Sequence, residues 1–159
     1  MSWLIDIGLY LFEKIYNSPD AKGRRGESWV SKALRKGLPA EDYVVLDSLT
    51  LPIKGSTTQI DHTILSRFGI FVVETKNKNG WIFGSQQKST WTQAFRSQSF
   101  KFQNPLRQNY RHVKAIEEIL GLSKNEVHSV VAFVGSAEPK TDFPRNVVCP
   151  SSTTKLLSY

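Results

Sequence analysis

The run Ile70-Phe71-Val72-Val73-Glu74-Thr75-Lys76 constrains this chain more than any other stretch. Its apolar, β-branched opening predicts a central buried strand. Ser66-Arg67-Phe68-Gly69 in front reads as a tight hairpin turn, and Asn77 to Gly80 behind reads as a second turn. Side chains alternate across a strand, so Glu74 and Lys76 share the face of Val72. An apolar strand therefore ends with a carboxylate and an ammonium side by side.

The preceding β-rich run, Thr58 to Leu65, carries Gln59-Ile60-Asp61-His62. If the chain folds back at about residue 67 or 68, position 61 falls opposite a residue near 74. Two carboxylates brought together in an apolar setting repel each other and need a cation or a shared proton. Hard oxygen ligands suit Mg2+ or Mn2+, so Asp61 and Glu74 are the expected metal ligands. Lys76 adds a charge that can orient water and stabilise a phosphate, which completes a set for metal-assisted phosphodiester hydrolysis. On these residues alone, a structural Asp61–Lys76 or Glu74–Lys76 ion pair accounts for the pattern equally well. Glu27 shifts that balance. It shares a helix face with Val30 and Leu34, so a third acid is directed at the sheet. Its alternative role is to complement the helix dipole. His62 should point to the opposite face of its strand from Asp61, as a packed or hydrogen-bonded histidine or as a substrate contact.

Around this centre the pattern predicts a helix from about Gly23 to Arg35 and a short strand over Tyr43 to Leu46. It predicts further strands at Trp81 to Phe83, Val127 to Val134 and Asn146 to Cys149. Asn104-Pro105 opens a helix that runs to Leu120 and stops at Gly121, with Tyr110, Val113, Ile116, Ile119 and Leu120 as its apolar face. Gly84 to Phe102 shows no clear period. Before all of these, Leu4, Ile7, Leu11 and Ile15 recur at helical spacing. Residues 3–16 are too few for the roughly 20 apolar residues that a membrane-spanning helix needs. They are expected to pack on this domain or a second copy, or else to contact a membrane surface peripherally. The domain reading is thus an apolar helix over 1–20 and a single globular domain over 21–159.

A single cysteine, Cys149, allows no disulfide within the chain and no cysteine-based zinc site, and it reads as a small core residue. With no cleavable leader pattern, a reducing, cytoplasmic location is expected, with membrane association through the first helix as the variant. Lys and Arg outnumber Asp and Glu by 21 to 14, for a net charge of +7. The distribution says more than the total. No Asp or Glu occurs between Thr75 and Ile116, a span rich in bases and aromatics. Lys78, Arg96, Lys101, Arg107 and Arg111 are expected phosphate contacts, and Trp91 an expected stacking face. Gln108, four residues before His112, either touches the site or substrate or pairs locally. DNA is the expected partner, with little base specificity.

Gly26-Glu27, Gln59-Ile60-Asp61-His62, Gly69 through Lys76, Gly80, Trp91 and Asn104-Pro105-Leu106-Arg107-Gln108-Asn109, in this order, resemble the nuclease-related domain family. That family is a branch of the PD-(D/E)xK restriction-endonuclease-like superfamily, and the resemblance covers about residues 22–150. It implies an α/β fold with an αβββαβ core and a mixed central sheet flanked by helices. It also implies Asp61, Glu74 and Lys76 as a catalytic trio with Glu27 as an additional acid. Ile60 stands where the superfamily motif has proline. The expected function is Mg2+-dependent hydrolysis of DNA with low sequence specificity. The alternative is a nucleic-acid-binding module that keeps the fold without cutting, and a third is a scaffold for self-association or membrane attachment through residues 3–16.

Overall fold

The computed structural model describes residues 24–149. The apolar segment 3–16 lies outside the described residues. Helix α1 spans Arg24–Gly37. Three strands follow: β1 (Tyr43–Ile53), β2 (Ser56–Ser66) and β3 (Gly69–Asn77). Next come β4 (Gly80–Phe83), β5 (Thr90–Ala94), β6 (Ser99–Gln103) and α2 (Pro105–Leu120). The chain continues through β7 (Val127–Val134), β8 (Ala137–Pro139) and β9 (Val147–Val148). The restriction-endonuclease-like α/β core is α1-β1-β2-β3-α2-β7.

A five-stranded mixed sheet runs in the order β1-β2-β3-β7-β9, with β3 at its centre. β3 pairs antiparallel with β2 and parallel with β7, which buries it on both faces, as its continuous apolar run requires. On one face, Val30, Ala33 and Leu34 of α1 pack on Ile64, Phe71, Val73, Val130 and Val134. The other face is shared. Val113 and Ile116 of α2 cover Ile60, Val72 and Val127, while Val131 and Phe133 meet a second sheet, β6-β5-β4-β8, through Ile82 and Trp91.

Four sequence expectations change here. β1 is an eleven-residue strand rather than a short one, because it forms a long hairpin with β2. The stretch Gly84 to Phe102, without visible period, holds β5 and β6. Trp91 was expected to offer a stacking face, but it is fully buried. Its ring stacks on Phe133 and Phe143, so no base can reach it. Gly84 lies directly against this indole, where an added Cβ would come within 2.1 Å of the ring. The apolar face of α2 is also rotated from the expected one. Of that face Val113 and Ile116 are buried as expected, but Tyr110, Ile119 and Leu120 are exposed, and Pro105, Asn109, His112 and Ala115 are buried in their place. The buried amide of Asn109 explains the rotation: its Nδ2 donates to Val72 O, Val130 O and Ser129 Oγ, tying α2 to β3 and β7. Cys149 is buried, as expected of a small core residue.

Candidate active site

The β2–β3 ladder runs from Ser66↔Gly69 to His62↔Val73. One step further the two strands part, and the residues at that fork are Asp61 and Glu74. The turn alone set this register. The fork has a local cause in β1. Ser48 has φ +53, and the pairs Asp47↔His62 and Leu49↔Ile60 flank it and Asp61. Across this irregularity the strand changes face. His62 lies on the α1 side with Asp47, whereas Ile60 packs with α2, although regular pleating would keep positions 60 and 62 together. The backbone N–H of Thr75 donates to Asp61 Oδ2 at 2.8 Å, so the carboxylate caps β3 beyond the end of the ladder.

Glu74 is only 2% exposed. Its Oε1 accepts from Lys76 Nζ at 2.6 Å, and Lys76 Nζ also donates to Gln108 Oε1 at 2.9 Å. His112 Nδ1 stands 3.6 Å from Glu74 Oε2, beyond hydrogen-bonding reach, and neither atom has another partner. Burial pushes the Glu74 carboxyl up to about 7, with Asp61 and Glu27 adding to the rise and Lys76 opposing it. Burial likewise holds His112 below the usual imidazole range. The charges of Lys76 and Arg111 add to that effect and Asp61 opposes it. A neutral His112 against a reluctant carboxylate is a close contact without an ion pair.

The α1 side carries a second polar cluster. His62 Nδ1 lies 2.7 Å from Asp47 Oδ1, and Asp47 Oδ2 accepts from Ser31 Oγ at 2.6 Å and Arg35 Nη2 at 2.7 Å. Burial would raise Asp47, but the bonds from Arg35, Ser31 and His62 outweigh it and bring the carboxyl down to about 2. Glu27, in the first turn of α1, lines the adjoining cleft of about 720 Å³ with Gln59 and His62. Gly26 before it lets α1 approach the sheet: a Cβ there would meet Val134 Cγ2 at 3.1 Å.

The sequence that builds this geometry has counterparts among known proteins. The sequence profile described as Nuclease-related domain matches residues 22–134. The chain belongs to the nuclease-related domain family. It is also 47% identical over 103 residues to an uncharacterized protein of Bacillus anthracis, a match covering 64% of this chain and 48% of that protein. The chain thus spans about half of that relative's length. No solved structure matches it.

Within this nuclease-related domain, the structure brings Asp61, Glu74, Lys76 and Gln108 together and sets Glu27 near enough to act on Glu74. Gln108 accepts from Lys76 Nζ through its Oε1. The other expected contacts are spread out. Arg107 and Arg111 project from the first turns of α2, exposed. Arg96 sits at the β5–β6 turn and Lys101 on β6, both exposed and without a bond to the cluster. Lys78 is half-buried with its Nζ 4.7 Å from the centroid of Phe102, and burial, then Lys76, lowers its pKa. Sequence reasoning missed Asp47 and the placement of His112 against Glu74. Only the spacing Gln108–His112, one helical turn, hinted at the second.

The residues fit a divalent cation on one observation. Glu74 Oε2 is a buried carboxylate oxygen with no hydrogen-bond partner, next to a second carboxylate. Among the described residues no group of three or more His, Cys, Asp or Glu is arranged to hold a metal ion. Asp61 and Glu74 are the two carboxylates that would hold such a cation, and the remaining positions would fall to water and substrate, a habit of Mg2+.

Proposed function

We propose that this domain is a metal-dependent nuclease that hydrolyses phosphodiester bonds in DNA with low sequence specificity. The observation that carries the proposal is the unpartnered Oε2 of a buried Glu74, beside Asp61 and a Lys76 held in hydrogen bonds. A divalent cation held by Asp61 and Glu74 would supply Lewis-acid polarisation of the phosphodiester. The chain's own residues do the rest. Lys76 uses two of its three N–H directions on Glu74 and Gln108, which leaves one N–H for a substrate oxygen. Gln108 keeps Lys76 from collapsing wholly onto Glu74. His112 and the walls of Val72 and Val113 keep the Glu74 side dry, so charges there act at short range through little water.

The test is nicking of supercoiled plasmid with Mg2+ or Mn2+. Asp61→Asn, Glu74→Gln and Lys76→Met should each lose on the order of 100-fold or more, because ligands and charge act as a unit. Wild-type activity in purified Glu74→Gln would overturn the assignment. A second reading, a binding module that does not cut, draws on the direct Lys76–Glu74 pair, which occupies one carboxylate oxygen. It predicts DNA binding with no nicking under any metal.

A further inference from the structure

A groove of about 410 Å³ is lined by Gln86 from the loop after β4 and by Leu106, Arg107, Tyr110 and Arg111 of α2. No acid lines it, in contrast to the cleft beside α1, which mixes Glu27 and Asp47 with Lys32 and Arg35. Tyr110 is 57% exposed, the largest exposure among the big apolar and aromatic side chains described. An aromatic ring kept in water contributes little to the fold, since the core of α2 lies on its other side.

The opposite wall of the groove is held in place. Asn104, fully buried, donates through Nδ2 to Ser85 O, Gln86 O and Lys88 O. Trp91 Nε1 donates to Ser85 O, and Arg107 Nη2 donates to Gln87 O. The loop after β4 is thus fastened to the start of α2 along its length, and the groove exists before any ligand arrives. Gln108, next to Arg107 on the same helical turn, is the residue that grips Lys76. One helix, α2, therefore contributes residues to both the groove and the carboxylate fork.

We propose that this groove seats one unpaired nucleotide of a single-stranded DNA segment, its base stacked on Tyr110 and its phosphate between Arg107 and Arg111. The inference rests on the nuclease reading above and adds a substrate class to it: single strands or frayed ends rather than intact duplex. Charge complementarity selects a polyanion, and the ring selects a base face. Bases of an intact duplex are stacked on each other, so only an unstacked one can reach the ring. Lys114 Nζ, 5.6 Å from the Tyr110 centroid, adds a cation at that ring and is itself paired with Glu117.

Binding is measured in EDTA, where no cleavage occurs, by fluorescence anisotropy of a labelled oligothymidine and of a blunt hairpin duplex. Wild-type protein should prefer the single strand. Tyr110→Ala should weaken single-strand binding by about 10-fold with little effect on the duplex, and Tyr110→Phe should bind like wild type. Arg111→Ala should weaken both. Single-strand affinity unchanged in Tyr110→Ala overturns the proposal, as does a wild-type protein that prefers the duplex. Plasmid nicking by the same preparations separates the two readings. Nicking with an indifferent Tyr110 removes the groove and leaves the nuclease. Tyr110-dependent binding without nicking leaves the groove and removes the catalysis.

Discussion

Ionising Glu74 works against burial, against Asp61 and against Glu27, with Lys76 alone favouring the charge. The folded protein consequently holds this proton more tightly than the unfolded chain, whose carboxyl titrates near 4.5, against about 7 when folded. The sign follows from linkage. The stabilisation is full below the unfolded value and disappears as pH rises through the folded one. Between pH 5 and pH 8, wild-type protein should lose on the order of 2 kcal/mol of stability relative to Glu74→Gln, measured by urea unfolding. Parallel pH profiles for the two proteins would show that Glu74 does not titrate in this range. Mg2+ should reverse the trend, raising Tm more at pH 8 than at pH 6, because a ligand must be deprotonated to bind metal. The acids and Lys76 were legible because strand alternation and one turn fix who faces whom. Asp47 was not, because its value lies in a bond to His62 across fifteen positions and in a φ of +53 at Ser48, which no pattern of apolar residues encodes.

Elements show the same division between what is local and what is not. Both ends of α2 were legible, since the Asn104-Pro105 start and the left-handed Gly121 stop are chemistry of adjacent residues. Which face of α2 turns inward was not, because Asn109 and His112 are polar and are buried only through partners on β3 and β7. Of the second sheet, the strand at Trp81 to Phe83 was legible and β5 and β6 were not, for a related reason. β5 and β6 are five residues each and mostly polar, and Trp91 and Phe102 are covered by Phe133 from a distant part of the chain. Asn104 can be dissected at this scale. Its Oδ1 accepts from Leu106 N and caps α2, while its Nδ2 holds the loop after β4. Asn104→Asp keeps the acceptor and loses the donor. If the loop bonds dominate, Asn104→Asp should be destabilised as much as Asn104→Ala, by about 2–3 kcal/mol in urea unfolding, since caps alone are worth about 1 kcal/mol. Recovery of wild-type stability in Asn104→Asp would assign the residue to capping alone.

Among the described residues, the two sides of the sheet differ in charge. On the α1 side Arg35 is spent on Asp47 and Val45 O, and acids line the cleft. The α2 and second-sheet side carries Lys88, Arg96, Lys101, Arg107 and Arg111, all exposed, in a stretch of sequence without acids. Gln108 of α2 ties Lys76, and through it the buried Glu74, to this side. A strand crossing it would meet several cations before and after the fork, and each neutralised phosphate releases counterions. With about three to five phosphates contacted, the logarithm of single-strand affinity should fall against the logarithm of salt with a slope of about −2 to −3.5. Arg96→Glu and Arg111→Glu should each flatten that slope, whereas Lys32→Glu on the α1 side should leave it unchanged. Anisotropy titrations over a salt series, in EDTA, read all four proteins on one scale. A flat wild-type slope, or equal flattening by Lys32→Glu, would mean that nucleic acid does not track this face, and the groove beside Tyr110 would then lose its route to the carboxylates.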